Sequence, residues 1–266
     1  YRGHAYYKKN DLFNSAEDYV KAIRKKDTHS EFDIVMLYRL GMIFIRRLTW
    51  DDSKTVFMKI LKMNPNYSFA WRFIGISLMR LKNYKSAEES LSEANLLDID
   101  NSENWGFLTL YCLMDNKKNQ AIECINELFK TNYLNVEVLL EISENFSNYK
   151  EYKISADIYS RILDHYPDNL KANINLADIY YNKFDKKDEA LELLERALEY
   201  NSIEHERELI NRFIDEINGK HRNNNDYHNQ SNTSKINVDK NLELDDMDSF
   251  KENIDYDDND DLEDFK

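Results

Sequence analysis

The chain has 266 residues and a formal net charge of −14, and its five Gly and two Pro are too few chain breakers for a strand-rich fold, so the expectation is all-α. An acidic chain lacks the Lys/Arg excess that phosphate neutralisation requires, which excludes nucleic acid as the main partner; no apolar run approaches the ~18 residues of a membrane span. The two cysteines, Cys112 and Cys124, form neither a disulfide framework nor a CxxC pair, which points to a reducing, cytoplasmic setting.

The plainest unit in the chain is Ser68–Asn101, 34 residues in which Trp71, Ile74, Gly75 and Leu78 and then Ala87, Leu91 and Ala94 keep helical spacing on either side of a break at Lys82 and Asn83. This is the pattern of two helices joined by a short turn and crossing closely at Gly75 and Ala87. With Ser68 as position 1, the same unit recurs along the chain.

In chain order, the first unit, about residues 1–29, is incomplete: Gly3, Tyr6, Ser15, Tyr19 and Ala22 match positions 8, 11, 20, 24 and 27. A chain that starts inside a repeat reads as a fragment of something longer. Extra residues near Ser30 to Asp33 precede the second unit, residues 34–67. Units at 68–101, 102–135, 136–169 and 170–204 follow, the last with one residue inserted in its Phe184 to Glu189 turn. Position 7 is Leu40, Ile74, Leu108, Ile142 and Leu176, and position 24 is Phe57, Leu91, Ile125 and Tyr159. Position 20 is Ser53, Ala87, Ala121 and Ser155, and position 27 is Ile60, Ala94, Leu128 and Ile162.

A single helix over 203–217, with Ile203, Leu209, Ile210, Phe213 and Ile217 on one face, suits a cap on the last repeat. From 218 to 266 the periodicity is lost. Low-complexity HRNNNDYHNQSNTS gives way to acidic DYDDNDDLEDFK, and residues 220–266 carry six basic against fourteen acidic side chains, a net −8. Such a segment cannot bury enough apolar surface to offset ordering, so it is expected to be disordered.

No catalytic, cofactor or metal constellation emerges. The six His form no HExxH or i, i+4 pair, and the EF-hand-like start at Asp255 has Asp260 where the loop needs Gly and Lys266 where it needs Glu. The chain therefore reads as a non-enzyme with protein partners. Trp71 and Trp105, both at position 4, read as packing residues rather than a ligand cage.

Two surfaces carry chemistry. Positions 2, 5, 6 and 9 of each first helix line a groove, and they include Tyr38, Arg39, Phe69, Arg72, Phe73, Ile76, Phe107 and Leu110. Arginines among aromatics suit a partner segment with acidic and apolar residues. Farther along, the same positions give Glu137, Glu141, Glu144, Asn175 and Asp178, so the groove is expected to change sign. The second surface is the edge formed by the turns within repeats. It holds Arg46, Arg47, Arg80, Lys82, Lys85, Lys117 and Lys118, with Lys8, Lys9, Lys150, Lys153, Lys183, Lys186 and Lys187. Against these fourteen cations stand seven carboxylates, Asp11, Asp51, Asp52, Asp115, Glu151, Asp185 and Asp188. Cations at a helix C-terminus complement its dipole, but Lys82, Lys85, Lys153, Lys186 and Lys187 lie beyond the helix end.

The large, small and aromatic residues at these offsets resemble the tetratricopeptide repeat (TPR), which implies a right-handed superhelical solenoid of about six helix-turn-helix units and a role as an interaction scaffold. A narrower resemblance lies in LSEANLLDIDNSENWGFLTLYCL, Leu91 to Leu113, which is similar to the C-terminal repeats of the cilia- and flagella-associated protein 70 family. That resemblance implies a structural component of the ciliary or flagellar axoneme, in its central apparatus, with axonemal proteins or tubulin as partners. The alternative is a soluble cytosolic adaptor or co-chaperone-like subunit. Adaptors that hold acidic chaperone C-termini use a clamp of Lys, Asn and Arg, and here its positions hold Tyr38, Met42, Phe73, Glu103 and Phe107.

Overall fold

A computed structural model of the chain describes residues 2–24, 31–133 and 135–219, which form helices without strands. Six hairpins follow one another: α1 (Arg2–Lys8) with α2 (Leu12–Arg24), α3 (Glu31–Arg46) with α4 (Trp50–Met63), α5 (Ser68–Arg80) with α6 (Tyr84–Leu97), α7 (Ser102–Met114) with α8 (Lys118–Leu128), α9 (Val136–Asn148) with α10 (Tyr152–His165), and α11 (Leu170–Phe184) with α12 (Lys187–Tyr200). A thirteenth helix, α13 (Glu204–Ile217), closes the row. The residues named above at repeat positions 7, 20, 24 and 27 are buried except Ala22, which is half-buried, and the apolar ones at positions 7 and 24 join one continuous core. No hairpin could bury both its apolar faces alone; stacking supplies the cover. The expected acidic tail lies outside the described residues.

Two expected boundaries shift. The residues counted as an insertion before position 34 are in part the first turn of α3, which begins at Glu31. Ile203, expected on the apolar face of the last helix, is the N-cap of α13 and is 56% exposed, while Ile210 and Ile217 are buried.

The ends of the first helices explain how the hairpins turn with so little glycine. Asn10, Leu48, Lys82, Asn116, Lys150 and Asp185 all have φ between 54° and 63°, one per repeat. In repeat three the N–H of Asn83 donates to Leu78 O at 2.9 Å and that of Lys82 to Met79 O at 3.0 Å, the paired bonds of a Schellman cap. The 2.9 Å bonds Thr49 N–H to Phe44 O and Glu151 N–H to Phe146 O repeat the pattern. A side chain in this left-handed conformation costs about 1–2 kcal/mol, and glycine's extra unfolded-state freedom returns about 0.4–1 kcal/mol of that. Leu48→Gly, Lys82→Gly and Lys150→Gly should therefore each raise the urea midpoint, by up to about 1 kcal/mol in stability. A loss at all three sites would contradict this.

At the other ends of the repeats, Asn101, Asn135 and Asn169 N-cap the next first helix, accepting from the N–H of Glu103, Val138 and Ala172. The position-4 side chain then ties each linker down: Trp71 Nε1 donates to Pro65 O and Trp105 Nε1 to Ile99 O, both at 2.8 Å, and Asn173 Nδ2 donates to Pro167 O at 2.9 Å. The tryptophans are linker braces.

The fifth repeat is joined differently. Leu139 at position 4 has no donor to offer, α8 is only 11 residues long, and α9 packs chiefly on α7 and α10 rather than on α8. Tyr133, from the linker, is buried against Gly106, where an added Cβ would come within 2.8 Å of the tyrosine Cζ and Oη. Tyr149 Oη adds a bond to Leu113 O at 3.0 Å, across the same junction.

Candidate protein-interaction surfaces

The first helices bring the expected groove residues together, but as a packed layer rather than an open trough. Tyr38, Arg72, Phe73, Ile76, Phe107 and Leu110 are buried, and Arg39 and Phe69 are half-buried. Tyr38 stands edge-on to Phe69 and Phe73 with ring centroids 5.6 and 5.9 Å away, and Phe73 stacks on Phe57 at 4.8 Å. Burial pushes the Tyr38 hydroxyl up to about 12. Bulky groups at positions 2, 5 and 6 of neighbouring helices meet each other before they meet solvent, which is why sequence spacing alone suggested a partner site. From this set, only Arg39 and Phe69 retain substantial exposure for a ligand.

Arg72 is held inside the fold. Its Nη1 donates to Asn104 Oδ1 at 3.0 Å and Asn101 Oδ1 at 3.3 Å, and Asn104 in turn donates to Ala94 O and Asp98 O at 2.9 Å each. The guanidinium thus joins an N-cap to the end of the preceding helix. Its amide partners are one repeat away, so helical periodicity within a single unit could not reveal them.

The change of sign along the groove also resolves into pairing. Arg80 forms a two-pronged ion pair with Glu141, Nη1 to Oε1 at 2.7 Å and Nη2 to Oε2 at 2.6 Å. Since α7 lies between α5 and α9, this pair spans a whole repeat. Burial tends to lower the Arg80 pKa, but the hydrogen bonds and charge of Glu141 outweigh it and hold the group above its ordinary value. Lys171 pairs likewise with Glu144. The acidic half of the groove is thus met by a turn-edge arginine and by its own Lys171, not by the groove arginines Arg39 and Arg72.

The turn edge keeps part of its expected charge. Arg80 faces Glu141, Lys117 binds Glu88 at 2.8 Å and Asp115 at 3.0 Å, Lys118 binds Glu151 at 2.7 Å, and Arg46 lies over the Tyr7 ring at 5.6 Å. The bond to Glu88, then that to Tyr111, holds the Lys117 pKa above its usual range. These four are half-buried and engaged within the fold. Arg47, Lys82 and Lys85 are exposed, as are Lys8, Lys9, Lys150, Lys153, Lys183, Lys186 and Lys187, and the exposed carboxylates among the opposing seven are Asp51, Asp52, Asp185 and Asp188. Exposed Leu48, Leu81 and Phe184 stand among these cations. The edge is therefore both basic and apolar.

Cys112 and Cys124 face each other between α7 and α8 as free thiols; the hydrogen bond to Cys124, with burial, pushes the Cys112 thiol up. Among the described residues no helix is long and apolar enough to cross a membrane, and no group of three His, Cys, Asp or Glu could hold a metal ion.

Residues 1–211 match the family model described as the cilia and flagella-associated protein 70 C-terminal domain. The chain is 29% identical over 141 residues to cilia- and flagella-associated protein 70 of Homo sapiens, a match covering 53% of this chain and 12% of that protein. For the protein of the same name from Macaca fascicularis the identity is 32% over 113 residues, covering 42% of this chain and 11% of the relative. The chain thus spans a small part of the length of these relatives. In fold it is similar to the C-terminal part of a TPR repeat-containing protein from Cytophaga hutchinsonii, with a TM-score of 0.59, 16% identity, and coverage of 84% of this chain and 88% of that one.

Proposed function

The chain belongs to the cilia and flagella-associated protein 70 C-terminal domain family, and from that membership we propose that it is a non-catalytic protein-interaction scaffold of the cilium or flagellum, seated in the central apparatus of the axoneme. The observation that carries its mode of attachment is the exposed, basic turn edge on a chain of net charge −14. Cations repeated once per repeat, roughly 10 Å apart by helix-pair packing distances, suit a long acidic surface such as tubulin or another acidic axonemal protein better than a compact ligand. The soluble adaptor reading gains nothing from the groove, where the Tyr38, Phe73 and Phe107 positions of the chaperone clamp are buried aromatics.

Attachment of this kind weakens steeply as salt rises, because exposed charges are screened over about 8 Å at physiological ionic strength. The test is a tagged chain in ciliated cells, followed by salt washes of detergent-extracted axonemes. Charge reversal should be made at Lys82→Glu, Lys85→Glu, Lys150→Glu and Lys153→Glu, because Arg80, Lys117 and Lys118 hold internal pairs whose loss would disturb the fold. The reversed chain is expected to wash off at a markedly lower salt concentration while keeping its helical spectrum. A diffuse cytosolic signal, or unchanged salt resistance, would remove the proposal.

A further inference from the structure

We propose that the acidic C-terminal segment of this same chain, residues 220–266, docks along the turn edge and competes there with any external acidic partner. The first observation is where that segment leaves the fold. α13 packs on α12, and its Phe213 stands edge-on to Tyr181 of α11 with ring centroids 6.3 Å apart, so it continues the row of first helices. It also ends as they do: Gly219 has φ 74°, and its N–H donates to Glu216 O at 3.0 Å, as Lys82 N–H does to Met79 O. First helices run toward the turn edge, and the Phe213–Tyr181 contact, near the C-terminal ends of both helices, sets the end of α13 at Gly219 on the same side of the row as the end of α11.

The second observation is complementarity in two kinds of chemistry. The edge carries exposed cations interleaved with exposed Leu48, Leu81 and Phe184, which are 50%, 37% and 37% accessible. The segment carries fourteen acidic against six basic residues, with Leu242, Met247, Phe250 and Ile254 set among the acids. A purely electrostatic tail would not need the apolar residues, and a purely solvating one would not match an edge that has both.

Reach is sufficient. Forty-seven residues span roughly 150 Å when extended, against roughly 60 Å for six repeats at ~10 Å spacing. As a tethered segment it also meets the edge at an effective concentration of about millimolar, so modest intrinsic affinity is enough to occupy it. An external acidic surface must then displace the segment. This docking holds whichever external partner is correct, and its test needs no cilium.

The test is zero-length carbodiimide coupling of the full chain at low salt, with the products mapped by mass spectrometry. Carboxylates of residues 220–266 are expected to couple to Lys82, Lys85, Lys150, Lys153, Lys186 and Lys187 at least about fivefold more than to Lys59 and Lys62, which are exposed on α4 away from the turns. At about 0.5 M NaCl the preference should fall several-fold. Lys82→Glu with Lys85→Glu should erase coupling at those positions and redistribute it to the remaining turns. Equal coupling to Lys59 and Lys62, or a preference that survives high salt unchanged, would overturn the proposal. So would coupling mainly between chains when isotope-labelled and unlabelled protein are mixed, since that places the segment on a second copy.

Discussion

Gly75→Leu is expected to lower the stability of the solenoid by about 3 kcal/mol, the upper end of the usual cost of overpacking. A Cβ at Gly75 would lie 2.5 Å from Leu91 Cγ, 2.8 Å from Leu91 Cδ2 and 3.2 Å from the Leu91 backbone nitrogen. The side-chain clash could be eased by a rotamer change, but the backbone contact cannot, so α5 and α6 must separate. Helix propensity works the other way, since a mid-helix glycine gives up about 1 kcal/mol relative to alanine, and that gain is too small to offset the clash. Gly75→Ala should cost less than Gly75→Leu, and in a Leu91→Ala background the added cost of Gly75→Ala should be smaller than in the wild-type background. Urea denaturation followed by tryptophan fluorescence reads the effect directly, because Trp71 sits on the affected helix. A wild-type midpoint for Gly75→Leu would show that the register of this hairpin is wrong. Gly41 makes the same contact one repeat earlier, with Phe57 carbons 2.6 Å from the added Cβ. Repeats four to six carry Thr109, Ser143 and Ala177 at position 8, so the tight seam belongs to the glycine-bearing hairpins.

That contact shows what the sequence made legible and what it did not. Periodicity of 34 residues places Gly75 on the hairpin seam, because one turn geometry repeated along the chain favours similar residue sizes at the same positions. A Cβ at Gly75 meets Leu91, one turn beyond Ala87 on the facing helix. The expected approach of positions 8 and 20 is itself a direct contact in repeats one and five, where Ser15 Oγ donates to Gly3 O at 2.8 Å and Ser143 Oγ lies 2.9 Å from Ser155 Oγ. The groove was less legible. Tyr38, Arg72 and Phe73 are correctly placed on the inner face of the first helices, yet their exposure depends on the gap to the next helix, which the side chains themselves fill. Arg80 and Glu141 lie 61 residues apart and meet only once superhelical twist has brought α5 and α9 to the same level. No local pattern encodes that distance. The turn edge was more legible, because exposed cations follow from local turn geometry, and only its pairings with Glu88, Glu141 and Glu151 had to come from the fold.

Tyr133→Ala is expected to cost about 3 kcal/mol, within the range for truncating a buried aromatic, and to divide the molecule into two folding units. One signal for this residue was present in the sequence: Gly106 is one of five glycines in the chain and sits at position 5, and position 32 of the same repeat holds a tyrosine where two others hold Pro65 and Pro167. A small residue on one helix and a large one on the following linker are complementary, and the structure joins them. Burial holds the Tyr133 hydroxyl well above its usual pKa, and its bond to Glu103 Oε2 is long at 3.5 Å, so the side chain works mainly by filling space. It matters because the junction it occupies lacks the packing between α8 and α9 that ties other repeats together. In a solenoid, cooperativity is carried by such nearest-neighbour interfaces, and weakening one lets the two sides unfold separately. The three tryptophans, Trp50, Trp71 and Trp105, all lie before the junction, whereas the circular dichroism of the helices reports both sides. In the wild-type chain the two probes should give one coincident urea transition; in Tyr133→Ala they should part, with helix loss and fluorescence change at different midpoints. Tyr133→Phe keeps the volume and should keep the transitions together. Coincident transitions in Tyr133→Ala would show that contacts such as the Arg80–Glu141 and Lys118–Glu151 pairs, rather than Tyr133, carry the coupling, and a split already present in the wild type would show that the two halves are uncoupled even with Tyr133 in place.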